Sequence, residues 1–276
     1  GPLGAWVDVE EGRTSDAMGK IRDALGLARS FSGQPSVVLA TREREGVSTA
    51  LNAGLARVLA RAKVSDADLA ELQDYLQAYD AEYPELRALE GILALDCDLR
   101  LALWEGRKSF QEEGTNFMPG FLLAGYLKSD EAFLINYFLG KFKTRGADAR
   151  PPRFYYLANV RSNHLDYMVE EISSTRATLR AAAHAISAAK YKNENGNWPP
   201  NIGDSTGLAH PDDPFGAGDA LVYRRDESGI IVYSVGPNGR DDGGRPDLVD
   251  VESVVGQSSD YTADDVGVRL WNRGEQ

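Results

Sequence analysis

Ala181-Ala182-Ala183-His184-Ala185-Ile186-Ser187-Ala188-Ala189-Lys190-Tyr191-Lys192, followed by Asn193-Glu194-Asn195-Gly196-Asn197-Trp198-Pro199-Pro200, is where the periodicity of this chain changes. The alanines have the highest helix propensity, and the Asn-Gly and Pro-Pro pairs stop the helix. Upstream of it, Leu157, Val160, Tyr167 and Ile172 lead into one long helix over about 163–192. Downstream, Ala220-Leu221-Val222-Tyr223-Arg224 and Ile230-Ile231-Val232-Tyr233-Ser234-Val235 are short, β-branched and aromatic runs. The turn residues Asp226-Glu227-Ser228-Gly229 separate them, which predicts a hairpin. Residues 266–271 and 248–255 supply third and fourth candidate strands. So small a sheet needs a cover for its apolar face, and the long helix is the nearest one. The pattern predicts an α+β layer arrangement.

Residues from about 15 to 193 read mainly as helix. Ala17–Ala28 has helical spacing, and Leu51, Leu55, Val58 and Leu59 share one face of a helix over 36–62. Ser65 is an N-cap, with Asp66 and Asp68 in the first turn of a helix carrying Leu69, Leu72 and Leu76. Pro84 opens a further helix with Leu86, Leu89 and Leu93. Gly114–Gly120 breaks the pattern, Phe121–Phe142 resumes it, and 143–153 is a linker. The domain reading is therefore a helical bundle over 5–160 and an α+β domain over 161–276. Gly1-Pro2-Leu3-Gly4 reads as the remnant of a removed tag, with a natural start lying further upstream.

The chain has 276 residues and a net charge of −12. Residues 194–276 hold 16 acidic and 6 basic side chains, so the acidity is concentrated there. With no basic stripe, nucleic acid is excluded as a partner. Nothing in the sequence spans a membrane, so membrane attachment would need an anchor outside this sequence. One cysteine, Cys97, allows no intrachain disulfide. Its apolar helical setting makes it a packed thiol.

The loop after Val235 concentrates oxygen ligands: Asn238, Asp241, Asp242, Asp247, Asp264 and Asp265, with glycines at 236, 239, 243 and 244. Calcium takes about six to eight oxygens in irregular geometry, so this loop is a candidate calcium site. The same residues are ordinary turn formers, and a solvated acidic loop is the other reading. An EF-hand is excluded, because Pro246 stands at the glycine position of Asp241–Glu252.

Catalytic signals are sparse. His164, His184 and His210 share no zinc spacing. No nucleophile elbow, phosphate loop or dinucleotide fingerprint occurs. Glu112-Glu113 and Glu170-Glu171 are adjacent carboxylates expected on different, solvated helix faces. Asn116, Phe117 and Tyr126 are candidates for lining a cleft in the helical domain.

The tyrosine-ended helix at Tyr191-Lys192, the Asn195-Gly196-Asn197-Trp198-Pro199 turn, Asp213-Pro214-Phe215-Gly216 and Tyr233-Ser234-Val235-Gly236-Pro237-Asn238-Gly239 occur in that order. Together they resemble the soluble domain of the major pseudopilins of type II secretion, over roughly residues 175–270. The helical region has no counterpart there. It resembles that of uncharacterised anchored bacterial proteins with the same C-terminal signature. The resemblance implies a pseudopilin-like fold with a calcium loop. The ligands it implies are the Val235 carbonyl, Asn238, Asp241, Asp242, Asp264 and Asp265. Asn238 replaces a family aspartate, and Arg245–Tyr261 is longer than the family's segment. The function implied is a non-enzymatic structural or protein-interaction protein of a bacterial envelope, on the periplasmic or extracellular side of the inner membrane. It would work in protein transport with other pilus-like or envelope proteins, self-assembly included. The alternative is an envelope-anchored hydrolase or ligand-binding protein using a cleft in the helical domain.

Overall fold

The alanine-rich segment forms the centre of the fold. The computed structural model describes residues 2–34, 36–84, 156–203, 212–215, 220–244 and 265–272; for 2, 3 and 156–165 it describes the backbone alone. Six α-helices are described: α1 (Pro2–Glu10), α2 (Thr14–Arg29), α3 (Val37–Ser48), α4 (Ala56–Arg61), α5 (Asp66–Ala81) and α6 (Tyr156–Asn195). Three strands follow: β1 (Val222–Asp226), β2 (Gly229–Ser234) and β3 (Val266–Trp271). This is an α+β fold with a small antiparallel sheet and a long helix. The predicted strand at 248–255, the helices over 84–142 and Cys97 lie outside the described residues.

By contact, the chain divides into two units: Gly1–Ser32, Ala40–Tyr83 and Glu171–Gln276 form one, and Gly33–Leu39 and Pro84–Glu170 the other. The boundary drawn near residue 160 falls inside α6, and the units follow contacts rather than chain order. In the first unit the N-terminal helices share one core with α6 and the sheet: Ile21, Leu25, Leu51, Leu72, Leu179, Ile186, Val232 and Leu270 belong to a single cluster.

In α6, Ala177, Leu179, Ala181, Ala182, Ala183, Ala185, Ile186, Ala188 and Ala189 are all buried. A helix apolar around its circumference is an interior helix, and alanine lets its neighbours approach closely. Its buried hydroxyls return to their own backbone: Thr175 to the Glu171 carbonyl and Thr178 to that of Ser174, both at 2.9 Å. On one side lies α5, where Gln73 Nε2 donates to Ser187 Oγ at 2.7 Å. There Asp80 also accepts from Arg176 Nε at 2.7 Å and Arg180 Nε at 2.8 Å.

α5 begins as its sequence predicts, with Ser65 Oγ accepting from the Asp68 amide at 3.1 Å. α3 and α4 are joined through a π-helical stretch, Thr49–Leu55. From its widened turn Asn52 Nδ2 reaches the Gly267 carbonyl of β3 at 3.2 Å. α1 is new to the sequence reading: it takes in Pro2, Leu3 and Gly4 of the segment set aside as a tag remnant and buries Ala5 and Val9.

β2 is the central strand, antiparallel to β1 and β3. Ile230 pairs with Leu270 and Val232 with Val268 on the core face, while Tyr233 pairs with Gly267 on the other face. All of β2 is buried, so the second face is covered as well. Its cover is the candidate site.

Candidate functional site

Asp213 connects two of the sequence motifs. It is 1% exposed. Its Oδ1 accepts from the Phe215 amide at 2.8 Å and from the Ser234 hydroxyl at 2.6 Å, and Oδ2 from the Val235 amide at 3.3 Å. Ser234 Oγ in turn accepts from the Gly236 amide at 3.0 Å. The Asp-Pro-Phe segment is thus tied to the end of β2, at the point where the acidic loop begins. A buried carboxylate with three donors is well compensated.

The loop then folds over Tyr233, which is fully buried. The phenol donates to Asp241 Oδ1 at 2.8 Å, and the Gly243 amide to the same oxygen at 3.0 Å. Arg224 Nη2 donates to Asp241 Oδ2 at 2.6 Å, and its guanidinium lies 5.7 Å from the centre of the Tyr233 ring. The Tyr233 hydrogen bond, with the Gly243 amide and Arg224, holds the Asp241 carboxyl below the usual carboxylate range. Burial and Asp241 push the Tyr233 phenol up. Gly244 has φ +68°, and a Cβ there would stand 2.6 Å from the Tyr233 ring. Only glycine fits this conformation and this approach.

Asp265, at the start of β3, closes the loop: Oδ2 accepts from the Gly244 amide at 2.7 Å, and Oδ1 makes a longer contact to the Asp242 amide at 3.4 Å. Asn238 Oδ1 accepts from the Arg240 amide at 2.7 Å, and Nδ2 donates to Asp242 Oδ2 at 2.8 Å.

Of the predicted ligands, Asn238, Asp241, Asp242 and Asp265 therefore meet in one hydrogen-bonded loop, with Val235 at its entry. Asp264 and the 245–261 segment lie outside the described residues. Protein donors (amides, a phenol, the Asn238 amide group and Arg224) serve the carboxylates. Among the described residues no three His, Cys, Asp or Glu side chains are grouped to hold a metal ion.

A second junction was not foreseen from sequence. Asn272 Oδ1 accepts from Lys192 Nζ at 2.7 Å and from Trp198 Nε1 at 2.8 Å, and Nδ2 donates to the Glu227 carbonyl at 2.6 Å. Lys192 also lies 4.1 Å from the Trp198 ring centre. Tyr223 and Arg225 of β1 donate to the carbonyls of Pro199 and Trp198, at 2.8 and 3.1 Å. The Asn-Gly-Asn-Trp-Pro turn is thus seated on the sheet at the end of α6. Trp198 was legible as part of a turn; Asn272 stands alone in sequence.

Of the catalytic candidates, Glu171 is buried rather than solvated, and Arg44 Nε donates to its Oε2 at 2.8 Å. His184 is buried in α6. The side chain of His164, and His210, Glu112, Glu113, Asn116, Phe117 and Tyr126, lie outside the described residues. No described helix is long and apolar enough to cross a membrane. No protein-family model, curated protein or solved structure matches the chain.

Proposed function

We propose that this chain is a non-enzymatic structural or protein-interaction protein of the bacterial envelope, related to the type II secretion pseudopilins and acting on the extracytoplasmic side. The observation that carries the reading is the use made of the motif residues. Asp213, Ser234, Tyr233, Asp241 and Asp265 spend their polar atoms fastening a loop to a sheet. Ser234 donates to the Asp213 carboxylate rather than to an imidazole or an amine, and that buried carboxylate also accepts from the Phe215 and Val235 amides. Such a site presents a shaped surface.

Calcium belongs to the proposal as a weak ligand of the same loop, held by Asn238, Asp241, Asp242, Asp264, Asp265 and the Val235 carbonyl. Arg224 already neutralises Asp241, so an ion must displace it. Affinity in the weak extracellular range, about millimolar, is expected. Calcium at several times that level should raise the Tm by mass action, and Arg224→Ala should enlarge the response. A melting curve indifferent to calcium and chelator in both proteins removes calcium from the proposal.

The partner reading is tested with photo-crosslinking residues at the exposed positions Asn238 and Arg240, in the source cell. Crosslinks to envelope proteins or to a second copy are expected, with the protein in the extracytoplasmic fraction. Recovery in the cytoplasm without crosslinks sinks the proposal.

A further inference from the structure

A different cluster, far from the acidic loop in sequence, surrounds Glu43 of α3. The residue is 1% exposed. Three hydroxyls donate to it: Ser32 and Tyr79 to Oε1, the latter at 2.8 Å, and Tyr83 to Oε2 at 2.8 Å. Ser32 and Tyr83 are the residues after which the chain leaves the first unit, at 32/33 and 83/84. The residues just beyond, Gly33 and Pro84, are so close that a Cβ on Gly33 would stand 2.8 Å from the proline ring. The next residue of α3, Arg44, binds Glu171, where the chain re-enters that unit.

We propose that Glu43 is a proton-operated clamp on this corner: neutral, it holds Ser32 and Tyr83 together, and ionised, it loosens them. The physical reason is that, among the described residues, none supplies it with a counter-charge. Among the described residues, the charged groups on the elements around it are engaged with one another. On α2, Arg29 bonds Glu82 and lies over the Tyr79 ring at 5.1 Å. On α3 itself, Arg42 pairs with Glu45, and Arg44 with Glu171 of α6. On α5, Asp80 is held by Arg176 and Arg180, and Tyr75 stands edge-on to Tyr79, on which Tyr83, just past the helix end, stacks. Among the described residues no cation pairs with Glu43. Three hydroxyl donors lessen the cost of the buried charge but do not cancel it. Because hydroxyls rotate, a neutral carboxyl keeps all three contacts by donating one bond and accepting the others.

Burial raises the Glu43 carboxyl above its ordinary value, against the three hydroxyls that lower it. The raised group contributes stability that is fully present below its unfolded value. That contribution is lost as pH rises through the folded value. The window therefore opens at the ordinary glutamate range, about 4.3, and extends upward.

The test compares the wild-type chain with Glu43→Gln, which keeps the shape and cannot ionise. The Tm of the wild type should fall relative to the variant as pH rises through the window, by about 3–5 °C for each pH unit of displacement. Hydrogen exchange at matched pH should be faster in the wild type at residues 30–34 and 80–84 above the midpoint, and equal below it. A carbon-13 titration of the Glu43 carboxyl needs no variant and should give a midpoint above 4.3. Tyr83→Phe, which removes a donor to the charged form, should move that midpoint higher still. A Tm difference independent of pH, or a midpoint at the ordinary glutamate value, overturns the proposal.

Discussion

Asp213 shows how a single residue governs this site. Its carboxylate satisfies three donors from two segments that are about twenty residues apart. Replacement by alanine leaves the Ser234 hydroxyl and the Val235 and Phe215 amides without their acceptor. A loss of about 3 kcal/mol is expected in denaturant unfolding, because stranded donors cost more than the bond itself is worth. Tyr233→Phe acts differently. The Tyr233 hydroxyl is the largest influence holding Asp241 below the usual carboxylate range. A depressed carboxyl contributes stability that is present above its unfolded value and lost as pH falls through the folded one. Wild-type stability should therefore decline in acid, from the ordinary carboxylate range downward, and Tyr233→Phe should flatten that decline. Unfolding free energy measured across the acid range for both proteins checks it; identical pH profiles refute the role given to Tyr233.

At the scale of elements, β3 is fitted to β2 by a missing side chain. A Cβ on Gly267 would stand 2.2 Å from the Val232 carbonyl oxygen, a backbone atom that cannot swing aside. Gly267→Ala should cost about 1–3 kcal/mol through forced overpacking, read as a lowered denaturation midpoint. The α5–α6 contact depends instead on Asp80, the carboxylate that Arg176 and Arg180, both largely buried, share across it. Asp80→Ala should cost about 3 kcal/mol and do so at high salt too, since a buried pair is poorly screened. The sequence revealed elements better than their connections, for a physical reason. The Ser65 cap, the helix with Leu69, Leu72 and Leu76, and the strand at 266–271 follow from neighbours within a few residues. Tyr79 and Glu43 are 36 residues apart, and Arg180 and Asp80 are 100 apart; no local pattern announces such pairs. The acidic loop was legible as a cluster of oxygen atoms. That Arg224 of β1 would reach into it depended on the β1–β2 register, which composition does not contain.

For the whole molecule, the governing fact is that the alanine-rich part of α6, residues 177–189, is covered on both sides by its own chain. A helix laid on a sheet buries one stripe; α6 buries alanines all around, with α5 supplying Gln73 and Asp80 opposite Ser187, Arg176 and Arg180. The sheet and the N-terminal helices therefore share one core, so the segment from the end of α6 through the sheet is completed by helices from the start of the chain. Residues 161–276 produced alone should expose the apolar face of α6, along with Arg176, Arg180, Ser187 and Asn193, which bond α5 in the whole chain. Large exposed apolar patches drive association. The expected outcome is a fragment that sediments as oligomers or aggregates and gives no cooperative melt, beside a whole chain that melts cooperatively. Adding residues 5–84 as a separate piece should restore a cooperative transition, because those residues supply the missing side of the core. A fragment 161–276 that is monomeric and melts cooperatively by itself would overturn the shared-core account. It would also strengthen the case for an autonomous pseudopilin-like head, with the N-terminal helices as an appended layer.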